Sequence, residues 1–218
     1  ANWYAYGRFA WNPQSSARAV GEEWARQTFG NDPKVVSSVV GMLMASWPAM
    51  MDYQAPIGLT FQELDSANTH YGPWPWLDSP RRSDWADVYF NRADTTGLGV
   101  DRSHTGYNTA AQYNSLLKEQ FDDIRTTPEE FLLWFHHVPW DWRMKSGRTM
   151  WEELQFTYGR GVKGVEAIQK DWNELEGKID GERFTAVKQY LVMQHRDAVW
   201  FRDASLAYFQ TFAKRPFT

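Results

Sequence analysis

The chain has 218 residues, a formal net charge of −4 and 43% hydrophobic residues, which suits one large domain or two small ones with a substantial core. The mild charge and the absence of basic runs argue against nucleic acid and anionic membranes as partners. There is no cysteine, which excludes disulfides and thiolate chemistry and leaves the compartment open. No apolar run approaches a membrane span, and the N-terminus lacks a signal-peptide pattern. The 13 tryptophans favour carbohydrate contact weakly, since each indole N–H needs a partner.

The first eleven residues are already dense in residues typical of a protein core. A free terminus is normally polar and mobile, so we interpret this sequence as beginning inside a longer protein. Ser15-Ser16 offers an N-cap for a helix to about Phe29, and Gly30 is placed to end that helix. Pro33 then predicts the first turn of another helix. Its apolar residues recur at helical spacing: Val35, Val36, Val39, Val40, Leu43, Met44 and Trp47.

From about residue 54 to residue 106 the periodicity is lost, and glycine and proline recur. The segment is too aromatic for disorder, and a long ordered segment without regular structure is typically functional. Its stiffest part is HYGPWPW, residues 70–76, where prolines can present an indole at low entropic cost. The alternative is that both indoles cap the apolar end of a helix bundle.

Regular structure is predicted again from about residue 108 to residue 121, and Thr127-Pro128-Glu129-Glu130 predicts another helix start. A helix begins at Thr149, with glycines at 159, 161 and 164 weakening its middle. Two final helical segments, near residues 162–179 and 182–214, are separated by Asp180-Gly181. In the last segment, the residues expected to pack on a neighbouring helix recur at alternating spacings of four and three, which we call the heptad seam. No alternating strand pattern is present, so we predict an all-α, bundle-like domain with a long irregular aromatic segment.

Residues 131–154, FLLWFHHVPWDWRMKSGRTMWEEL, contain the most distinctive motif. An apolar helix ends before Val138-Pro139, and Thr149 with Glu152 forms a capping box that restarts a helix. Aromatic, histidine and cationic residues fill the loop between these two points. Flat aromatics beside hydrogen-bonding groups suit a sugar, and a loop pinned at both ends is a good place for function. The alternative is a tryptophan-rich corner of the core.

Catalytic and metal motifs are not found in the sequence. The histidines show no metal-ligand spacing, and no nucleophile, phosphate-loop or dinucleotide motif is present. Glu129-Glu130 and Glu152-Glu153 lie in first helical turns, where the helix dipole accounts for them. From the residues alone the chain binds something, and we predict no catalytic residue, metal or cofactor.

Five segments resemble the C-terminal region of bacterial xylan α-glucuronidases of glycoside hydrolase family 67: NWYAYGRFAWNP, EEWARQTFGNDP, HYGPWPW, SDWADVYFNRAD and LLWFHHVPWDWRMKSGRTMWEEL. The resemblance covers nearly the whole chain. It implies a β-sandwich-like N-terminal domain, a central (β/α)8 barrel and this helical C-terminal domain. Such enzymes remove 4-O-methyl-D-glucuronic acid, α-1,2-linked to xylo-oligosaccharides, with inversion. Their catalytic carboxylates lie in the barrel, so no residue here inherits a chemical role.

The resemblance also implies a division of the chain and its partners. Residues 1–14 are expected to be the end of the barrel or a junction, and residues 15–218 the C-terminal domain, with a long helical hairpin at about 149–214. The expected partners are the chain's own barrel, a glucuronic-acid-substituted xylo-oligosaccharide and a second subunit. The compartment is undetermined, with a cytoplasmic or cell-associated bacterial protein favoured.

The residue predictions follow from the same resemblance. The residues expected at the substrate are Trp76, Trp74, His136, His137, Trp140 and Arg102. Trp76 is matched to a sugar-stacking tryptophan, whereas an ordinary salt bridge is the favoured alternative for Arg102. Residues off the heptad seam are candidates for a dimer interface or for the core: Tyr190, Trp200 and Phe209. Two other functions stay open, a stand-alone carbohydrate-binding module and a purely structural dimerisation unit.

Overall fold

A computed structural model describes residues 1–59, 63–65, 70–71 and 93–218 of the chain. The described part is mainly helical, which confirms the all-α prediction. Seven α-helices are present in the described ranges: α1 Asn2–Trp11, α2 Ala17–Phe29, α3 Pro33–Gln54, α4 Ser115–Asp122, α5 Leu132–Phe135, α6 Met150–Asn173 and α7 Gly181–Ala213. Short 3-10 helices span Pro56–Gly58, Thr109–Gln112 and Glu129–Phe131. Trp74 and Trp76 lie outside the described residues.

Among the described residues, four short strands pair in two antiparallel ribbons: β1 Glu63–Asp65 with β2 His70–Tyr71, and β3 Gly97–Leu98 with β4 Val138–Pro139. In the second ribbon Gly97 is opposite Pro139 and Leu98 is opposite Val138. Strands of this length show no alternation, because the side-chain period is two residues. That is why the sequence pattern did not reveal them.

The described residues fall into two compact units. The first comprises Ala1–Ala49 with Lys163–Arg196, and the second Met50–Val162 with Asp197–Thr218. Helices α3, α6 and α7 contribute residues to both units. The sequence predictions for sites fall mostly in the second unit.

In the first unit the local start and stop signals are confirmed. The Ser16 hydroxyl accepts the Ala19 N–H at 3.1 Å and caps α2, which ends at Gly30 with a φ of 92°. Helix α3 begins at Pro33, and the preceding Asp32 carboxylate accepts the Lys34 N–H at 2.8 Å. These signals succeed because each depends on a few neighbouring residues.

The sequence of α1 is dense in residues typical of a protein core, but the structure leaves these residues wholly or partly exposed. None of its residues, all of which are described, is buried, and Trp3 and Trp11 are 88% and 86% exposed. The helix contacts α2 through an ion pair of Arg8 with Glu23 at 2.9 Å. Its apolar residues therefore form a surface in the first unit.

The sequence analysis found no apolar run approaching a membrane span, but helix α3 is long and apolar enough to cross one by length and composition. A core helix of a water-soluble protein passes the same test, so this is weak evidence. Val35, Val36, Val39 and Val40 are each at most 3% exposed. Packing within the protein therefore accounts for these four valines, whereas Trp47, farther along the predicted stripe, is 62% exposed.

The second unit has its own hydrophobic core, which includes Trp140, Trp151, Tyr158 and Phe209. Helix α6 enters this core from its first turn, where Met150 and Leu154 are fully buried. The core therefore lies directly beneath the loop that the sequence analysis singled out.

The glycines that were expected to weaken the middle of α6 do not interrupt it, because the helix is continuous from Met150 to Asn173. A Cβ at Gly161 would lie 2.7 Å from the Tyr53 backbone nitrogen, and one at Gly164 would lie 2.8 Å from Ala49 Cβ. These glycines permit close approach of α3 rather than ending the helix.

Two other predicted helices are shorter than expected. The segment near 108–121 divides into a 3-10 turn and α4, which Asn114 caps. The Thr127 side chain does not cap a helix, since its hydroxyl lies 3.0 Å from the Asp123 carbonyl and 2.8 Å from His136 Nε2. The Thr127 hydroxyl therefore contacts the His136 ring instead of capping the helix that was predicted to start there.

Candidate functional site

The central loop, residues 136–149, connects α5 to α6 and is pinned at its end by the predicted capping box. Thr149 donates its backbone N–H to Glu152 Oε2 at 2.7 Å, and Glu152 donates its own to Thr149 Oγ1 at 3.2 Å. The hydrogen bond from the Thr149 backbone holds the pKa of Glu152 below its usual value. The capping-box prediction is confirmed.

His136 anchors the start of the loop and is only 6% exposed. Its Nε2 lies 2.8 Å from Thr127 Oγ1. Burial lowers the pKa of His136, although the nearby carboxylates of Asp101, Asp123 and Asp122 oppose this effect. The ring therefore holds the 121–127 segment and offers almost no surface to a ligand, so its predicted contact with substrate stays a prediction.

His137 anchors the loop on the other side. Its Nδ1 donates to the Gly99 carbonyl at 2.9 Å, while Nε2 lies 3.0 Å from Thr96 Oγ1 and 3.3 Å from Asp94 Oδ1. The two adjacent histidines thus attach the loop to two separate segments of the chain. Such pinning limits the movement of the residues that follow.

A polar cavity of about 380 Å³ opens beside His137, lined in part by Asp94, Asp101 and Tyr107. Burial raises the pKa of Asp94, but hydrogen bonds from Thr96 and Gly97 and the His137 ring outweigh it, so the net pKa is lowered. The pKa of Asp101 is lowered in the same way, with burial opposed by bonds from Ser103 and Thr105. Both groups are therefore carboxylates near neutral pH.

Two carboxylates give this cavity a definite chemical preference. Ionised carboxylates accept hydrogen bonds from hydroxyl groups and repel other anions. The polar cavity therefore disfavours an anionic group. Sequence reasoning missed Asp94, Asp101 and Tyr107, although the Asp-x-Thr and Asp-x-Ser spacings that form these turns were visible.

Trp140 and Arg102 contact the protein itself. Trp140 is 1% exposed and donates its indole N–H to the Asp94 carbonyl at 2.8 Å. Trp140 therefore matches the alternative interpretation of the motif, a tryptophan-rich corner of the core. Its ring has no exposed face on which a sugar could stack. Arg102 donates to the Trp134 carbonyl, and its guanidinium lies 3.9 Å from the centre of the Trp134 ring.

An apolar groove of about 500 Å³ was not anticipated from the sequence. Tyr113, Phe131 and Trp134 line it, together with Leu59 and Met51. The only visible signal was the FLLWF run, which is equally typical of a buried helix. The groove provides aromatic surface next to the Arg102–Trp134 stack.

The three residues proposed for a dimer interface occupy different environments. Tyr190 is 67% exposed, Trp200 is partly exposed, and Phe209 is fully buried in the core of the second unit. Burial of Phe209 argues against an intersubunit contact at that position. Tyr190 and its exposed neighbours Val192 and Met193 are the stronger candidates.

Metal ligation was also considered. Within the described ranges, no group of three or more histidine or carboxylate side chains is arranged to hold a metal ion. The histidines here contact hydroxyl, carbonyl and carboxylate groups instead. The described site is therefore one of hydrogen bonding and aromatic contact.

Residues 1–218 match the family described as glycosyl hydrolase family 67 C-terminus, and the chain belongs to this family. It is 38% identical over 206 residues to the probable alpha-glucuronidase A of Aspergillus terreus, covering 94% of this chain and 24% of that protein. It is 36% identical over 218 residues to the alpha-glucuronidase of Hypocrea jecorina, covering 99% of this chain and 25% of that protein.

The chain thus spans about a quarter of the length of these relatives. The expected family is confirmed. Both relatives are fungal, so they do not confirm the expectation of a bacterial source.

Proposed function

We propose that this chain is the C-terminal part of a xylan α-1,2-glucuronidase that removes (4-O-methyl)-D-glucuronic acid from xylo-oligosaccharides. The observation that carries the proposal is the family match over the entire chain, supported by relatives named as alpha-glucuronidases. Hydrolysis would proceed with inversion, one carboxylic acid protonating the leaving xylosyl oxygen and a carboxylate activating water. We assign both groups to the preceding barrel and no catalytic role to the described residues.

We propose further that this part forms one wall of the substrate pocket. The central loop supports the proposal, because His136, His137 and the capping box hold its backbone at several points. The polar cavity supports it as well, because carboxylates suit the hydroxyls of the xylose portion. A wall of this kind lowers the barrier by orienting the sugar against the catalytic groups.

The division of the chain is also a proposal. The exposed aromatic residues of α1 support assigning residues 1–14 to the junction with the preceding barrel, which would cover them. Residues 15–218 then form the C-terminal domain.

A dimer contact is proposed as a second role of the same part. The exposed apolar residues Tyr190, Val192 and Met193 on α7 favour it. Tyr190 and Met193 are three positions apart and so lie on one face of the helix, which suits an intersubunit contact.

The first test uses the full-length protein with Trp76→Ala, assayed on an aldouronic oligosaccharide. Loss of a stacked indole removes roughly 1–3 kcal/mol, so kcat/KM is expected to fall between about fivefold and about 150-fold with an unchanged Tm. Trp47→Ala, which removes an exposed indole from α3, is the matched control and is expected to leave kcat/KM near the wild-type value.

Two outcomes would contradict the proposal in different ways. Unaltered kinetics of Trp76→Ala would remove residues 70–76 from the pocket wall. A wild-type protein that releases no glucuronic acid would refute the activity itself.

A further inference from the structure

The segment after α7 crosses back onto the central loop. Helix α7 ends at Ala213, and Lys214 turns the chain with a φ of 51°. Gln210 then donates to the Arg215 carbonyl at 3.2 Å, which fixes the direction in which the chain leaves the helix. We refer to residues 214–218 as the strap.

The first attachment of the strap is an ion pair across 74 positions of sequence, between Arg215 and Asp141. Arg215 Nε donates to Asp141 Oδ1 at 2.9 Å, and Nη2 donates to Oδ2. Two parallel bonds from one guanidinium fix orientation as well as distance. Asp141 lies between Trp140 and Trp142, in the middle of the WDW motif.

The second attachment lies at the start of α6. The Trp151 indole N–H donates to the Pro216 carbonyl at 2.9 Å, and the Phe217 ring lies 5.6 Å from that of Trp151. The Thr218 N–H donates to Gln155 Oε1 at 2.9 Å. The strap therefore contacts the central loop at its middle, and it contacts the first turns of α6, which follow directly after the loop.

The environments of Asp141 and Arg215 indicate what the ion pair does. The two side chains are 68% and 33% exposed, and exposed ion pairs contribute little to global stability. Trp140 is anchored in the core beneath Asp141, whereas Trp142 is only partly buried. The bidentate contact thus restrains the part of the loop that is not already held by burial.

We propose that the strap positions the central loop for substrate, with Arg215 acting as a positioning residue through Asp141. This rests on the proposed function, in which the central loop belongs to the wall of the substrate pocket. Arg215 touches neither sugar nor catalytic group in this role. It limits the movement of residues 141–142, so that their surface is in place before the xylo-oligosaccharide binds.

The experiment compares wild type, Arg215→Ala, Arg215→Lys, Asp141→Ala and the double variant Asp141→Ala/Arg215→Ala in the full-length protein. In Arg215→Ala we expect faster hydrogen exchange in peptides covering residues 140–149, and a KM for an aldouronic oligosaccharide raised about fivefold with kcat nearly unchanged. Arg215→Lys keeps the positive charge but cannot form two parallel hydrogen bonds to Asp141. Its KM is therefore expected to lie between that of the wild type and that of Arg215→Ala. The double variant Asp141→Ala/Arg215→Ala is expected to be no worse than Arg215→Ala alone.

Arg202→Ala is the matched control. Arg202 has the same side-chain exposure as Arg215, 33%, and also pairs with an exposed aspartate, its chain neighbour Asp203. It should change neither the exchange of residues 140–149 nor KM.

The two arms of the experiment separate the possible failures. Exchange rates in Arg215→Ala equal to those in Arg202→Ala would overturn the claim that the strap holds the loop. Faster exchange with an unchanged KM would overturn the positioning of substrate. Absence of glucuronidase activity in the wild type would refute the proposed function, and it is detected before any variant is compared.

Discussion

Trp140 and Trp142 lie two positions apart in the central loop, yet they occupy different environments. Trp140 is sealed in the core and satisfies its indole N–H with the Asp94 carbonyl. Trp142 is only partly buried against the same core. Within the WDW motif, therefore, the first indole anchors the loop, and the second has surface left for a ligand.

His136 gives a pH-dependent prediction at the same scale. Burial lowers its folded pKa, so the unfolded chain takes up a proton more readily as the pH falls below about 6.5. Stability is therefore lost from that value downward toward the folded pKa. We expect the wild type to lose more free energy of unfolding between about pH 7.5 and about pH 5.5 than His136→Gln, which cannot titrate there.

Denaturant unfolding at the two pH values checks this expectation. His136→Gln should be less stable than wild type at the higher pH, and the difference should narrow at the lower pH. The same substitution at the exposed His104 controls for loss of a histidine elsewhere. Equal pH dependence in wild type and His136→Gln would contradict the prediction.

At the scale of the element, α6 combines a local start signal with a tertiary constraint along its length. The capping box at Thr149 and Glu152 begins the helix. Farther along, Gly161 and Gly164 allow α3 to approach more closely than any side chain would permit. A glycine in a helix interior lowers helix propensity, but here the close packing offsets that effect.

Gly159 and Gly161 form a matched pair for testing this account of α6. A methyl group at Gly161 meets the Tyr53 backbone nitrogen at 2.7 Å, whereas one at Gly159 meets no described atom within 4 Å. We expect Gly161→Ala to lose about 1–3 kcal/mol of stability through overpacking. Gly159→Ala is expected to be neutral or to gain up to about 1 kcal/mol from helix propensity. Thermal or denaturant unfolding measures both, and equal effects would refute the close-packing explanation.

At the scale of the whole molecule, two groups of exposed apolar residues bear on how the described part of the chain is assembled with other parts. The aromatic residues of α1 are one, and Tyr190 with Val192 and Met193 on α7 is the other. The chain covers about a quarter of the length of its relatives. On the proposed function, the rest of the protein would cover the first group and a partner subunit the second.

Tyr190→Glu in the full-length protein tests the second assignment. A charge placed in an apolar interface is costly to desolvate, so we expect a wild-type dimer to become a monomer while glucuronidase activity is retained. Sedimentation equilibrium measures the mass, with Tyr107→Glu, at another exposed tyrosine, as the control. A dimer that survives Tyr190→Glu would remove this residue from the interface. Phe209→Glu is unsuitable as a probe, because it would place a charge in the core.

The sequence by itself determined the helical class, the caps at Ser16 and Thr149, the proline start of α3 and the family. Each helix signal depends on residues within a turn or two of one another, and the family resemblance depends on long motifs. Such information is carried along the chain and needs no tertiary contact.

Tertiary structure alone decided which tryptophan of WDW is buried, why α6 continues through its glycines and what holds Asp141. The residues that settle these questions, Asp94, Tyr53 and Arg215, are distant in sequence from the residues they act on. A side chain's burial is a property of everything packed around it, and local spacing does not encode those partners.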